Sequence, residues 1–238
     1  MHTQFSNLSF LSNWRTRVIY FLLLPVANLL LLILISGEYE NVAAWRVALG
    51  SIVIEGATLS LQSMSQLLVT DARLKIDIEL ISKKPYSIRY WGNKFLAAIV
   101  PGIILASVNT TLLFLVKAPL HLVFRAYLLI VPICVVGAIL GFTSWCVSWE
   151  MKNPYFFTNL ISSLLVLVSG ALILVSEYPM WLQVVSKMFP LYSFINWLSF
   201  SNGSVVETII NTSIWLIIGV VLYVVQIPRV LRNKTHEY

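Results

Sequence analysis

Residues 71–94 read DARLKIDIELISKKPYSIRYWGNK, from Asp71 to Lys94, and they concentrate six of the sixteen basic residues: Arg73, Lys75, Lys83, Lys84, Arg89 and Lys94. Asp71, Asp77 and Glu79 lie among them, and long apolar runs flank the segment on both sides. Each charge at the centre of a bilayer costs about 2.5 to 3.5 kcal/mol on insertion scales. The segment therefore lies on a water side, and the positive-inside bias makes that side cytoplasmic. The 238 residues are 58% hydrophobic and 11% charged, against about 25% charged in a soluble domain whose surface must be wetted. The composition is that of an integral membrane protein.

Working outward, residues 18–36 carry no charge and approach the roughly 20 residues that cross a 30 Å hydrocarbon core. They form the first expected span, with Pro25 as a kink. This run is too long for a signal-peptide core, and no A-x-A-like site follows Ser36, so it reads as retained. Before it, Phe5, Leu8, Leu11 and Trp14 recur every three residues, which suits either a short amphipathic helix on the membrane surface or a frayed polar terminus. The other expected spans are 47–70, 95–116, 126–147, 155–175 and 208–227. Residues 176–203 are apolar but broken by Pro179, Lys187 and Pro190. Read as a pair of short helices dipping into the outer leaflet, they leave six crossings. Both termini then face the cytoplasm, and only Arg46, Lys117, Arg125 and Lys187 lie outside. A seventh crossing would move Arg229, Arg232 and Lys234 outside, against the positive-inside rule.

Several function classes are excluded. Basic residues gathered in loops between apolar runs are a topology signal, so the net charge of +6 does not point to nucleic acid. Cys134 and Cys146 stand too far apart on one helix to bridge each other. His2, His121 and His236 are scattered, and no H-E-x-x-H, Cys-x-x-Cys or G-x-S-x-G is present, so the chain offers no catalytic constellation and no metal or cofactor site. Gly92-Asn93-Lys94 lacks the frame of a phosphate-binding P-loop. A membrane enzyme is thus the weakest of the readings.

Glu55 is the one acid expected at membrane depth. Thr58, Gln62 and Ser65 follow it at helical spacing, giving the second span a polar stripe. Such a stripe lines a wet path or hydrogen-bonds a neighbouring helix. Trp45, Trp91, Trp149, Tyr155, Tyr178 and Trp181 fall near span ends, as an aromatic belt predicts. Within the charged segment, Ile76, Ile78, Leu80 and Ile81 form an apolar cluster, which suits either a helix resting on lipid headgroups or one docking into a partner protein.

The order of elements resembles the permease subunits of type-2 ABC exporters. In that family the second span runs into a cytoplasmic coupling helix with an acidic start, a Gly-Thr, a Glu-Leu-Leu, a proline, and a Gly-Lys that opens the third span. Here Asp71, Glu79-Leu80-Ile81, Pro85, and Gly92 with Lys94 follow that order. The Gly-Thr is replaced around Lys75–Asp77, and Asn93 interrupts the Gly-Lys pair. Tyr178-Pro-Met-Trp-Leu and Phe189-Pro190-Leu191 resemble the family's outer Pro-x-Trp-Leu and Asn-Pro-Leu signatures. The resemblance implies an all-α integral membrane protein forming a single permease domain over residues 1–238. Its expected parts are six transmembrane helices, an N-terminal amphipathic helix, a coupling helix within 71–94 and an outer re-entrant helical hairpin at 176–203. It further implies a multi-pass, bacterial cell-membrane location and export of an amphipathic or lipophilic substrate, an antimicrobial peptide or drug-like compound. ATP and Mg would sit on a separate ATP-binding cassette subunit, and a second permease copy or a related permease would complete the path. By the same resemblance Ile76, Ile78, Glu79, Leu80, Ile81 and Pro85 would couple to the ATPase. Glu55, Thr58, Gln62 and Ser65 would face the translocation path, and Pro179, Trp181 and Pro190 would belong to an outer gate. The competing class is a membrane binding or immunity protein that does not transport and whose basic loop rests on lipid.

Overall fold

Lipid offers no hydrogen-bond partners, so an apolar run must satisfy its backbone internally, and the helix is the local way to do so. The computed structural model describes residues 13–23, 26–27, 41–116, 118–149, 151–200 and 204–234, and all regular structure among them is helical. In chain order the elements are α1 (Trp14–Val18), which runs into a π-turn at Ile19–Leu23, α2 (Asn41–Arg73), α3 (Ile76–Lys83), α4 (Ile88–Leu115) and α5 (Leu120–Ser148). Then come α6 (Phe156–Val168), a 3₁₀ turn at Val175–Glu177, α7 (Met180–Met188), α8 (Leu191–Phe200) and α9 (Val205–Lys234). Among the described residues four stretches are long and apolar enough to cross a membrane: Trp45–Arg73, Ile88–Leu115, Leu120–Ser148 and Val206–Arg229. The protein is therefore an all-α protein of membrane type.

Several expected boundaries move. The segment 71–94 is hardly a loop: α2 runs on through Arg73, α3 is a separate short helix, and α4 already begins at Ile88. The expected span 155–175 is helical only over the 13 residues of α6, about 20 Å at 1.5 Å per residue. Its helix stops where Gly170 takes φ +77°, a left-handed conformation that a glycine adopts without strain. The Tyr178 hydroxyl then donates to the Leu167 carbonyl at 2.6 Å, satisfying a backbone acceptor at that helix end. Pro101 and Pro132 lie inside α4 and α5, tolerated where neighbouring helices and side chains satisfy the freed backbone groups. The expected first span lies mostly outside the described residues, as do residues 5–12 of the expected N-terminal helix. Within the expected outer hairpin, Met180–Met188 forms α7 and Leu191–Phe200 forms α8, broken at Phe189-Pro190, while 201–203 lie outside the described residues.

The core is built around α2, which packs most extensively on α5 and next on α4. Leu49, Val53, Ala57, Leu61, Met64, Leu67 and Leu68 on α2 are fully buried. In lipid an apolar side chain gains little by leaving the solvent, so helices associate through close packing of small residues and through hydrogen bonds. Both are present. Gly137-Ala-Ile-Leu-Gly141 on α5 lies against Ala57 and Leu61 of α2, while Gly102 on α4 lies against Gly56 and Ser60. Ser65 Oγ donates to the Gly141 carbonyl at 3.1 Å and accepts from Thr158 Oγ1 of α6 at 2.9 Å. Thr143 Oγ1 donates to the Trp215 carbonyl at 3.1 Å, and Gln226 Nε2 to the Cys146 carbonyl at 2.5 Å, tying α9 to α5.

Lys75 ends α2 in a left-handed conformation, φ 58°, a position where helices commonly place glycine. A side chain there costs about 1 kcal/mol or more. Lys75→Gly is expected to leave thermal stability unchanged or slightly higher, and Lys75→Val to lower it by about 1 to 2 kcal/mol, because a branched Cβ tolerates this conformation least. Equal melting of the two variants would show that Lys75 is not held left-handed.

Candidate functional site

The charged end of the helices is closed by an ion pair. Lys94 Nζ lies 2.7 Å from Asp71 Oδ2, with the two side chains 2% and 5% exposed. Lys94 also donates to the Leu67 carbonyl at 3.3 Å, and the Tyr90 hydroxyl donates to Asp71 Oδ2. The Lys94 ammonium stands 5.6 Å from the Tyr90 ring centroid. The last turn of α2 and the opening turns of α4 are thus clasped together, which fixes the two ends between which α3 is hung.

α3 itself is pinned to a platform of aromatic rings. Ile81 is 3% exposed and, with Leu80 and Asp77, borders a small crevice against Trp91, Trp145, Trp149 and Tyr223. Trp91 meets Phe142 and Tyr223 edge to face at centroid distances of 5.2 and 5.1 Å, the geometry that the ring quadrupole favours. The Pro85 carbonyl accepts from Trp91 Nε1 at 3.2 Å and from the Tyr223 hydroxyl at 3.0 Å. Trp91 belongs to α4 and Tyr223 to α9, so one carbonyl joins the α3–α4 connection to two spanning helices. Of the positions expected to contact an ATPase, Ile81 faces this platform, Ile78, Leu80 and Pro85 are half-buried, and Ile76 and Glu79 are exposed. Glu79 Oε1 and Lys83 Nζ pair at 2.6 Å on the open face. The outward face of α3 is accordingly Ile76, Glu79, Ser82 and Lys83.

The polar stripe of α2 divides. Glu55, Thr58 and Gln62 line a groove of about 430 Å³ together with Tyr20, Leu105 of α4 and Val166 of α6. Ser65 does not reach it, being fully buried in the bonds to Gly141 and Thr158. Asn109, 2% exposed on α4, donates from Nδ2 to Glu55 Oε2 at 3.4 Å. Of the expected outer residues, Pro179 and Trp181 are exposed and Pro190 is buried at the α7–α8 break. Among the described residues no three His, Cys, Asp or Glu side chains come together.

The reading of the sequence did not single out Asp71, Lys94, Tyr90, Trp91, Tyr223 or Asn109 as interacting groups. Asp71 and Lys94 stand where apolar runs meet charge, which hydropathy treats as two separate loop residues; nothing local pairs them. The chain matches no family model, and it finds no significant match among characterised proteins or among solved structures.

Proposed function

We propose that the chain is the membrane subunit of an ATP-driven exporter of the type-2 ABC permease kind, driven by a separate ATP-binding subunit that docks on α3. The observation that carries this reading is the mounting of α3. A short helix at the charged end is bonded through Pro85 to two spanning helices, seated on rings, and hung between helix ends that a buried ion pair holds together. A helix resting passively on lipid needs none of these bonds. A helix that must pass displacement to spanning helices needs all of them, since a rigid body transmits motion and a loose loop absorbs it. In this reading the membrane carries six crossings with both termini cytoplasmic, α7 and α8 form the outer re-entrant hairpin, and a second permease completes the path. ATP and Mg are bound by the partner, not by this chain.

The test is co-purification in mild detergent, comparing the native chain with Ile76→Asp/Glu79→Arg, both exposed positions whose replacement leaves the platform intact. The native chain is expected to bring down a soluble subunit that hydrolyses ATP, and the variant to lose it. A well-folded native chain that brings no ATPase would remove the exporter reading. Lipid-surface binding would then move ahead, and one observation favours it: Leu74, Tyr86 and Ile88 are 60%, 63% and 88% exposed beside Lys75, Lys83 and Lys84.

A further inference from the structure

A small cleft lies between α5, α8 and α9, about 26 Å along α5 from the Trp145 ring that borders α3. Its volume is about 190 Å³, and Leu128, Leu129, Phe194 and Trp197 form its apolar wall. Two buried hydroxyls also border it, and both are spent within the chain. Ser193 Oγ donates to Glu207 Oε2 at 3.1 Å, and Thr208 Oγ1 to the Ser204 carbonyl at 3.2 Å. Sites that enclose whole small molecules begin at roughly 300 Å³, so this cleft is sized for a slender apolar segment. Leu128 and Phe124, one turn apart, are 54% and 64% exposed on a helix long and apolar enough to cross a membrane. The cleft therefore opens sideways, onto lipid.

Arg125 puts a charge at its rim. It lies one turn before Leu128 and Leu129 on α5, and helical side chains lean toward the N-terminus, so its guanidinium stands nearer the helix end than the cleft does. Arg125 is half-buried, 5.8 Å from the centroid of the Trp197 ring that also lines the cleft. Stacking uses the face of a guanidinium and leaves its in-plane N–H groups to donate. Among the described residues no carboxylate pairs with Arg125, and Glu207 is held by Ser193 instead. Arg46 supplies the contrast. Gly137 and Gly141 of α5 lie against Ala57 and Leu61 of α2, so the two helices run in the same direction and Arg46 stands at the same end as Arg125. Its guanidinium lies 5.4 Å from the Phe200 centroid, but Phe200 borders a different hollow, with Tyr192 and Ile195.

We infer that the cleft holds one acyl chain of an anionic membrane phospholipid, whose headgroup phosphate accepts from Arg125 while the chain lies along Leu128, Leu129, Phe194 and Trp197. An apolar segment that enters from the lipid and ends in an anion matches both halves of the site. In phosphatidylcholine the attached quaternary ammonium offsets the phosphate and is brought next to the guanidinium, so a headgroup of net negative charge fits better. The site goes beyond the exporter reading and stands whether or not an ATPase docks on α3.

The experiment places the full chain in phosphatidylcholine nanodiscs doped with phosphatidylglycerol or phosphatidylcholine that carries the same diazirine-bearing acyl chain. Photolabelled residues are mapped by mass spectrometry. Labelling of Phe194 or Trp197 is expected to be about five-fold stronger from phosphatidylglycerol, the factor that one basic residue gives at an anionic lipid surface. Val221 and Val225, on the exposed face of α9, should label equally from both and serve as the internal reference. Arg125→Gln is expected to bring the ratio at α8 close to that reference. Arg46→Gln, which removes an equal charge from the same end, should leave it unchanged. Soluble glycerol phosphate, the head without its chains, should not compete. The native ratio needs no variant and so keeps the test open should Arg125→Gln fail to fold. No labelling of α8, equal labelling from both lipids, or a well-folded Arg125→Gln with the native ratio would overturn the proposal. An equal loss in Arg46→Gln would overturn it in favour of diffuse charge, and displacement by glycerol phosphate in favour of a free-anion site.

Discussion

Lys94→Met is expected to destabilise the folded chain by about 3 to 5 kcal/mol, the usual cost of removing one partner of a buried ion pair. The reason is what stays behind. Asp71 has a side chain only 5% exposed, and its carboxylate would keep the Tyr90 hydroxyl but lose the ammonium paired with it. The Leu67 carbonyl would lose its donor from Lys94 as well. The pair itself need not be strongly stabilising, since desolvating two charges offsets most of their attraction. The double variant Asp71→Asn/Lys94→Met should therefore recover most of the loss, because no uncompensated charge is left buried. Equilibrium unfolding in mixed micelles, run as a double-mutant cycle, measures both statements. A single variant as stable as the native chain would show that Lys94 and Asp71 are not paired in a dry site. The same cycle bears on function, because the clasp sets the spacing of the helix ends that carry α3.

How much of this was legible in the sequence differs from one element to the next. The long apolar runs announced α2, α4, α5 and α9 because lipid compatibility is a property of composition, and each is long enough to be read without tertiary knowledge. The charged segment was placed at a membrane end for the same reason. Its internal form was legible only in part: the apolar cluster at Ile76, Ile78, Leu80 and Ile81 suited a short helix, which α3 is, but charge density hid that α4 extends two turns into the segment. The stop of α6 did have a local signal in Ser169-Gly170, a pair that punctuates helices, and an apolar count alone runs past it. Likewise Gly137-x-x-x-Gly141 is a recognisable close-packing motif whose partner, α2, is a tertiary fact. In the polar stripe, periodicity put Ser65 with Glu55. At about 100° per residue, ten residues bring it about 80° round, which turns it toward α5 and α6 and away from the groove. The Asp71–Lys94 pair was the least legible feature of all, since hydropathy sees a charge and not its partner.

The other large effect is expected where α5 meets α2. A Cβ at Gly141 would overlap the Leu61 carbonyl oxygen and stand 3.0 Å from both Leu61 Cα and Met64 Cβ, and one at Gly137 would meet the Ala57 carbonyl group. Apart from Met64 Cβ these are backbone atoms of α2, so no rotamer change relieves them and the helices must part. Gly141→Ala is expected to cost about 1 to 3 kcal/mol. Gly137→Ala/Gly141→Ala should cost more than either alone, and not additively, because one separation relieves both overlaps. Parting the helices also stretches the 3.1 Å bond from Ser65 to the Gly141 carbonyl, and with it the link from Ser65 to Thr158 that holds α6. The internal control is Gly92, an exposed α4 residue whose added Cβ meets nothing within 4 Å. Gly92→Ala should stabilise the chain by about 0.5 to 1 kcal/mol, the helix-propensity gain alone. Opposite signs for Gly141→Ala and Gly92→Ala in the same unfolding assay are the expected result. If both variants gained stability, α2 and α5 would not be in backbone contact, and the face of α2 that carries Glu55 and Thr58 would have to be placed anew.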